Sequence, residues 1–255
     1  MAVLMRLLNL AVALVLSAAG VHEFEWSGKL AAGQSVEVKG VNGTIRAHGG
    51  GESVGVTAHK HGRRDDPAQV EVRVVPHAAG VTICAVYPSR DGRPNECVPG
   101  PGGHMDARDN DVDVDFQVEL PRDVRFVART VNGNVDAEDL GAAVEAVTVN
   151  GNVRLATAGL ASAETVNGNV DARLGRDDGR EAADFKTVNG NVEVRLPEGA
   201  NAEVEAHTVN GGIVSDFPLN VEGKWGPKRA HGTLGSGGRR LSLTTVNGSV
   251  RLEKE

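Results

Sequence analysis

Aromatic residues are almost missing from this chain: five Phe, two Trp and one Tyr make up 3% of its 255 residues. A wide core built around large rings is thereby excluded. Positive charge is also in deficit. The formal net charge of -7 disfavours nucleic acid and anionic membrane as partners, because both need a basic field. Cysteine is confined to Cys84 and Cys97, too far apart for the close pairing of zinc or thioredoxin-like motifs. No nucleophile motif, phosphate loop or dinucleotide fingerprint occurs. Beyond residue 20 no apolar run is long enough to span a membrane, and no segment of useful length has the apolar spacing of an amphipathic helix.

What is abundant is valine, with 38 copies. Its branched side chain suits strands that line a narrow interior. Ser35 to Val38, Val54 to Ala58, Val70 to Val75 and Val81 to Tyr87 read as strands bounded by Gly, Pro or charged turns. From Asp111 to Leu120 the alternation is strict, with Val112, Val114, Phe116, Val118 and Leu120 on one face and acidic residues or Gln117 on the other.

The first twenty residues read as an export signal: Arg6, an apolar run from Leu7 to about Leu16, then Ser17-Ala18-Ala19-Gly20. The run is shorter than the roughly 20 residues of a spanning helix, which favours cleavage near Gly20 or Val21 over retention as an anchor. The expected location is outside the cytoplasm, in the periplasm, at the cell surface or secreted. In such an oxidising compartment Cys84 and Cys97 most simply form a disulfide that closes a turn-rich loop.

Thr-Val-Asn-Gly recurs six times, from Thr130, Thr148, Thr165, Thr187, Thr208 and Thr245, and Gly40-Val41-Asn42-Gly43 is a degenerate seventh copy. The six Asn residues, Asn132, Asn150, Asn167, Asn189, Asn210 and Asn247, are 18, 17, 22, 21 and 37 positions apart. Such periods indicate stacked repeats, and the last step reads as one turn that has lost its motif. Within a unit, Val147 and Val149 lie on one face, Asn150-Gly151-Asn152 turns the chain, and Val153 and Leu155 continue inward. Each unit is thus one coil of a β-solenoid. Asn-Gly supplies positive φ at the corner, and stacked Asn side chains, with Asn42 as the first, form a hydrogen-bonded ladder. Asn-Gly is equally a hairpin signal, so an antiparallel meander or sandwich is the alternative. On this reading Val fills the interior and Thr stacks in an outer column available to ice, glycans or a second solenoid. Residues 21–125 form an N-terminal β region continuous with repeats over 126–255, and Trp225 is a candidate plug for the open end.

The residues nominate no catalytic, cofactor-binding or metal-binding set. Asp106, Asp109, Asn110, Asp111, Asp113 and Asp115 offer oxygen ligands of the kind calcium takes, but they lack the Gly of a looped calcium site. His59 and His61 share a strand face without an evident third ligand. Asp136, Glu138, Asp139, Asp171 and Glu193 follow the corners on several coils, and glycoside cleavage needs paired carboxylates, yet nothing singles out one pair.

The run Val81-Thr82-Ile83-Cys84-Ala85-Val86-Tyr87-Pro88, the strand Val112 to Leu120 with Pro121, the Thr-Val-Asn-Gly-Asn-Val units and the ending from Gly232 through Leu252 together resemble the bacterial putative-adhesin family, envelope proteins with a domain of unknown function. The resemblance implies an exported β-solenoid of the right-handed β-helix class, without catalytic residues. Adhesion is suggested by the family name alone, and the expected role is a structural or binding module of the cell envelope with an unidentified envelope protein or glycan as partner. A carbohydrate-active β-helix enzyme and an envelope-stress sensing or regulatory partner are the alternatives.

Overall fold

The computed structural model describes residues 23–175, 182–223 and 226–255. The export signal expected over residues 1–20 and the plug expected at Trp225 lie outside them. Short Val-rich segments punctuated by Gly become strands throughout. The N-terminal part contributes β1 (Glu23–Gly28), β2 (Ser35–Lys39), β3 (Ile45–Gly49), β4 (Val54–His61), β5 (Glu71–His77), β6 (Gly80–Val86) and β7 (Asp113–Leu120). The repeats follow as β8 (Arg125–Arg129), β9 (Val135–Leu140), β10 (Val144–Val147), β11 (Val153–Thr157), β12 (Ala161–Asn167), β13 (Val170–Leu174), β14 (Ala183–Asn189) and β15 (Val192–Leu196). The chain closes with β16 (Ala202–Asn210), β17 (Ile213–Ser215), β18 (Asn220–Glu222), β19 (Lys228–Leu234), β20 (Arg240–Asn247) and β21 (Val250–Lys254).

These strands make two sheets, ordered β1-β4-β7-β3-β9-β11-β13-β15-β21-β17 and β18-β19-β16-β20-β14-β12-β10-β8-β2-β6-β5. Each coil places one strand in each sheet, and neighbouring coils stack parallel and in register, with Val153 against Val170 and Val170 against Val192. The architecture is a parallel β-solenoid. Among the described residues antiparallel pairing is confined to its ends: β4 and β1 extend the first sheet, β5 extends the second at the same end, and β19 and β18 extend the second at the other. Such strands cover rows of backbone N–H and C=O that would otherwise template association.

The order of coils along the axis is not the order along the chain. The final coil, β20/β21, lies between β14/β15 and β16/β17, pairing with the earlier coil on one side and the later one on the other. At the opposite end β2/β3 lies between β6/β7 and β8/β9. This corrects the reading of the 37-residue step as a turn without its motif. No rung is missing there. The chain leaves the stack after β17, builds the antiparallel strands β18 and β19, and returns to occupy the slot left between two rungs.

The interior is as narrow as the valine content requires. Val135, Val153, Val170, Val192 and Val250 form one inward column, each 1% exposed or less. Opposite, Phe185 packs beside Ala163 and Leu243 in register, so one large ring is accommodated by a small neighbour in the next coil. Phe116, Phe126 and Phe185 are fully buried. At roughly 1.5–3 kcal/mol for each fully buried aliphatic or aromatic side chain, these columns dominate the folding energetics.

Candidate functional site

Among the described residues the Asn-Gly corner between the two sheets recurs from β2/β3 to β16/β17, and its residues divide by the direction in which they point. Along β12, Ala161, Ala163 and Thr165 face inward in strict alternation while Glu164 and Val166 face out. The motif threonines are therefore interior: Thr148 and Thr165 are 1% exposed, and Thr208 and Thr245 are 0% exposed. The outer Thr column expected from the sequence does not exist. Thr130, with Thr148, Thr165, Thr187, Thr208 and Thr245, instead donates its hydroxyl to corner carbonyls of the neighbouring rung, as in Thr165 Oγ1 to Gly151 O at 2.9 Å and Thr187 Oγ1 to Gly168 O at 2.8 Å. A buried hydroxyl requires a partner, and a corner carbonyl turned away from the ladder supplies one. The motif valines are displaced outward in exchange, with Val131, Val149, Val166, Val188 and Val246 between 36% and 39% exposed. Val147 and Val149 are thus not core residues, whereas Val153 and Leu155 are.

Two corner glycines, Gly43 at φ 110° and Gly248 at φ 159°, have the positive φ expected, but the other five differ. Gly133, Gly151, Gly168, Gly190 and Gly211 do not occupy the left-handed region, and no motif Asn does either. Glycine is needed because the rungs approach closely: a Cβ on Gly168 would lie 2.0 Å from Gly151 O, and one on Gly151 would lie 2.0 Å from Gly133 O.

Side chains complete the stack. Asn132 Nδ2 donates to Asn42 Oδ1 at 2.9 Å, and Asn150 to Asn132, Asn167 to Asn150, Asn189 to Asn167, Asn247 to Asn189 and Asn210 to Asn247 all do so at 2.8 Å. A second column runs parallel to it. Asn134 Oδ1 accepts from Asn152 N, Asn152 Oδ1 from Asn169 N, Asn169 Oδ1 from Asn191 N, and Asn191 Oδ1 from Ser249 N. Sequence reasoning missed this column, although its signal was plain: Asn recurs two residues after the first Asn in four units. The outer surface of the corner is therefore a straight ridge of Val methyl groups beside two rows of fixed amides, repeating at the strand spacing of about 4.8 Å.

The remaining candidates lie near the β1 end. His59 and His61 do share the outer face of β4, against Asp115 and Asp113 in register on β7. His59 Nδ1 sits 3.0 Å from Glu23, while His61 lies 3.5 Å from Asp113 and 3.9 Å from Asp115. The acidic run does not converge on a point. Asp106 pairs with Arg108, Asp109 with Arg90, and Asp115 accepts from Thr44 N at 2.7 Å. Asp111 accepts from the backbone N–H of Asp65 at 3.0 Å and from Arg64, which together hold its pKa down at about 2. Among the described residues no group of three or more His, Cys, Asp or Glu is arranged to hold a metal ion.

Cys84 and Cys97 are joined in a disulfide with Cα atoms 5.7 Å apart. The tethered loop lies over the second sheet. Lys39 Nζ donates to Val98 O, Gly100 O and Gly102 O at 2.7–3.0 Å, and burial lowers its pKa. Beneath the loop Glu37, 4% exposed, accepts from Gly100 N at 2.8 Å, Thr82 Oγ1 at 2.9 Å and Arg129 Nε at 3.1 Å. Of the carboxylates that follow the corners, Asp171, Glu193 and Glu253 surround Arg195 as ion pairs. Asp136 and Glu138 line a shallow depression with Arg46, His48 and Arg154, and Asp139 lies 3.8 Å from His48.

The sequence profile of the Toastrack DUF4097 family matches residues 125–253, which run from the start of β8 into β21 and comprise just over half of the chain. The chain belongs to that family. Toastrack describes the parallel rungs well, and the match covers every complete Thr-Val-Asn-Gly copy. No curated protein matches the sequence. Solved structures similar to this Toastrack chain include a putative cell adhesion protein from Clostridium sporogenes, 11% identical over 91% of this chain and 99% of the other, with a TM-score of 0.49. A putative adhesin from Bacteroides fragilis is also 11% identical, over 91% and 97%, with a TM-score of 0.37. Among the described residues of the Toastrack chain no helix is long and apolar enough to cross a membrane.

Proposed function

We propose that the chain is an exported, non-enzymatic binding module of the cell envelope, and that its ligand-facing element is the ridge of Val and Asn at the solenoid corner. The supporting observation is the division of labour within the motif. Thr and Gly are consumed by stacking, while Val131, Val149, Val166, Val188 and Val246 remain over one third exposed in an unbroken row beside the amide ladder. A row of methyl groups at fixed intervals, flanked by amides, suits a repetitive partner such as a glycan or an extended segment of an envelope protein, since the ridge is already rigid and loses little entropy on binding. The Cys84–Cys97 bond supports an oxidising compartment. The ion pairs of Arg195 with Asp171 and Glu193 favour this reading over a carbohydrate-active one, because those carboxylates are already engaged.

A glycan array combined with co-purification from native envelopes tests the proposal. Wild-type chain should retain a partner that a Val166→Lys, Val188→Lys double variant with an unchanged circular dichroism spectrum releases. Reducing-sugar release from a polysaccharide panel, abolished by Asp136→Asn, would establish the enzymatic alternative instead.

A further inference from the structure

The seven Asn-Gly steps that build the corners are also the sequence at which an asparagine side chain is most exposed to attack by its own backbone, because Gly places no side chain beside the nucleophilic nitrogen. Six of the seven are protected by the stack. In each, the Gly N–H is committed to the Asn carbonyl of the next rung, as in Gly151 N to Asn167 O at 3.0 Å and Gly248 N to Asn210 O at 3.0 Å. An internal Asn side chain is also held on both sides, donating to one neighbour and accepting from the other. At the β1 end Asn42 is closed off as well, with Nδ2 directed at Asn110 O and Val112 O.

The other end has no further rung among the described residues, although Lys228 Nζ on β19 donates to Gly211 O there. Asn210 belongs to the last rung of the ladder. Its Nδ2 donates to Asn247 Oδ1 at 2.8 Å, but its Oδ1 accepts from no further rung, and Gly211 N has no hydrogen-bond partner among the described residues. Asn210 is exposed. We infer that Asn210-Gly211 is a spontaneous deamidation site, set apart from the other six identical dipeptides because it ends the stack with its Gly N–H unbonded among the described residues.

The step needs only water. Gly211 N gives up its proton to solvent and forms a bond to Asn210 Cγ. The Cγ–Nδ2 bond breaks, and the nitrogen leaves as ammonia after taking up a proton. The resulting five-membered succinimide adds one water at either carbonyl, opening to an aspartyl or an isoaspartyl residue, with no change in oxidation state. Either product replaces the N–H donor that faces Asn247 Oδ1 with a carboxylate oxygen, so the terminal ladder bond becomes a repulsion. The isoaspartyl form also lengthens the backbone where a Cβ on Gly211 would already lie 1.8 Å from Gly248 O. The corner between β16 and β17 therefore opens once the reaction has occurred.

Site-resolved peptide mapping of aged full-length protein at mildly alkaline pH decides the matter. In the native chain Asn210 should convert about tenfold faster or more than any other motif Asn, since the internal sites must first open locally. In urea all seven should convert at comparable rates, and Asn210→Gln should remove the early ammonia release from native protein. Conversion of an internal Asn as fast as Asn210 would overturn the inference. So would an intact Asn210 under conditions that fully convert the denatured chain.

Discussion

At the scale of single residues, two substitutions with similar appearance in the sequence separate inside from outside. Thr165→Val keeps the shape but leaves Gly151 O without its donor, and should cost about 1–3 kcal/mol in a denaturant titration. Val166→Thr, one residue further on, acts on a side chain 36% exposed and should change stability by no more than about 0.5 kcal/mol. Gly168→Ala should be worse than either, because its Cβ would lie 2.0 Å from Gly151 O and overpacking of this kind costs about 1–3 kcal/mol or more. The motif was legible as architecture from its repetition, but its polarity was not. Thr and Val are both β-branched and nearly isosteric, so only the register of the strand against the corner decides which is buried. A polar residue is preferred inward here because turning the chain leaves carbonyls inside that a hydroxyl can satisfy.

At the scale of elements, the tethered loop and the acidic segment make separate contributions. Replacing Cys84 and Cys97 together by Ser releases a loop of thirteen-residue separation, and should lower stability by about 3 kcal/mol on the chain-entropy account. Thermal unfolding of oxidised and reduced wild type provides the same comparison without mutation. Asp111 contributes through its pKa. Because its folded value, about 2, lies below the ordinary value of about 3.9, the stabilisation is present above that ordinary value and is lost as pH falls through the folded one. Asp111→Asn should therefore be less stable than wild type at neutral pH, and the difference should vanish between about pH 4 and pH 2 in acid titrations followed by circular dichroism. The strand from Asp113 to Leu120 was readable from strict alternation alone. The partners of its acidic neighbours were not, since Asp65 meets Asp111 only because residues 46 positions apart are folded against each other.

At the scale of the molecule, the two displaced coils govern how the solenoid holds together. Deleting residues 240–254 removes β20/β21 from between two rungs rather than from an end. The deletion should abolish cooperative melting and make β16 and β17 sensitive to limited proteolysis, whereas a deletion from a simple solenoid end would remove one coil and spare the others. Spacing alone could not reveal this arrangement, because a chain that returns to fill a gap and a chain that skips a motif both produce one long interval. Identical corners make the return possible: Asn247 presents to Asn189 and Asn210 the same amide that either would present to the other. With a displaced coil inserted near each end of the stack, a repeat duplicated or lost between β8 and β15 leaves both returning coils in their slots, so the middle is where the length of such a molecule varies at least cost.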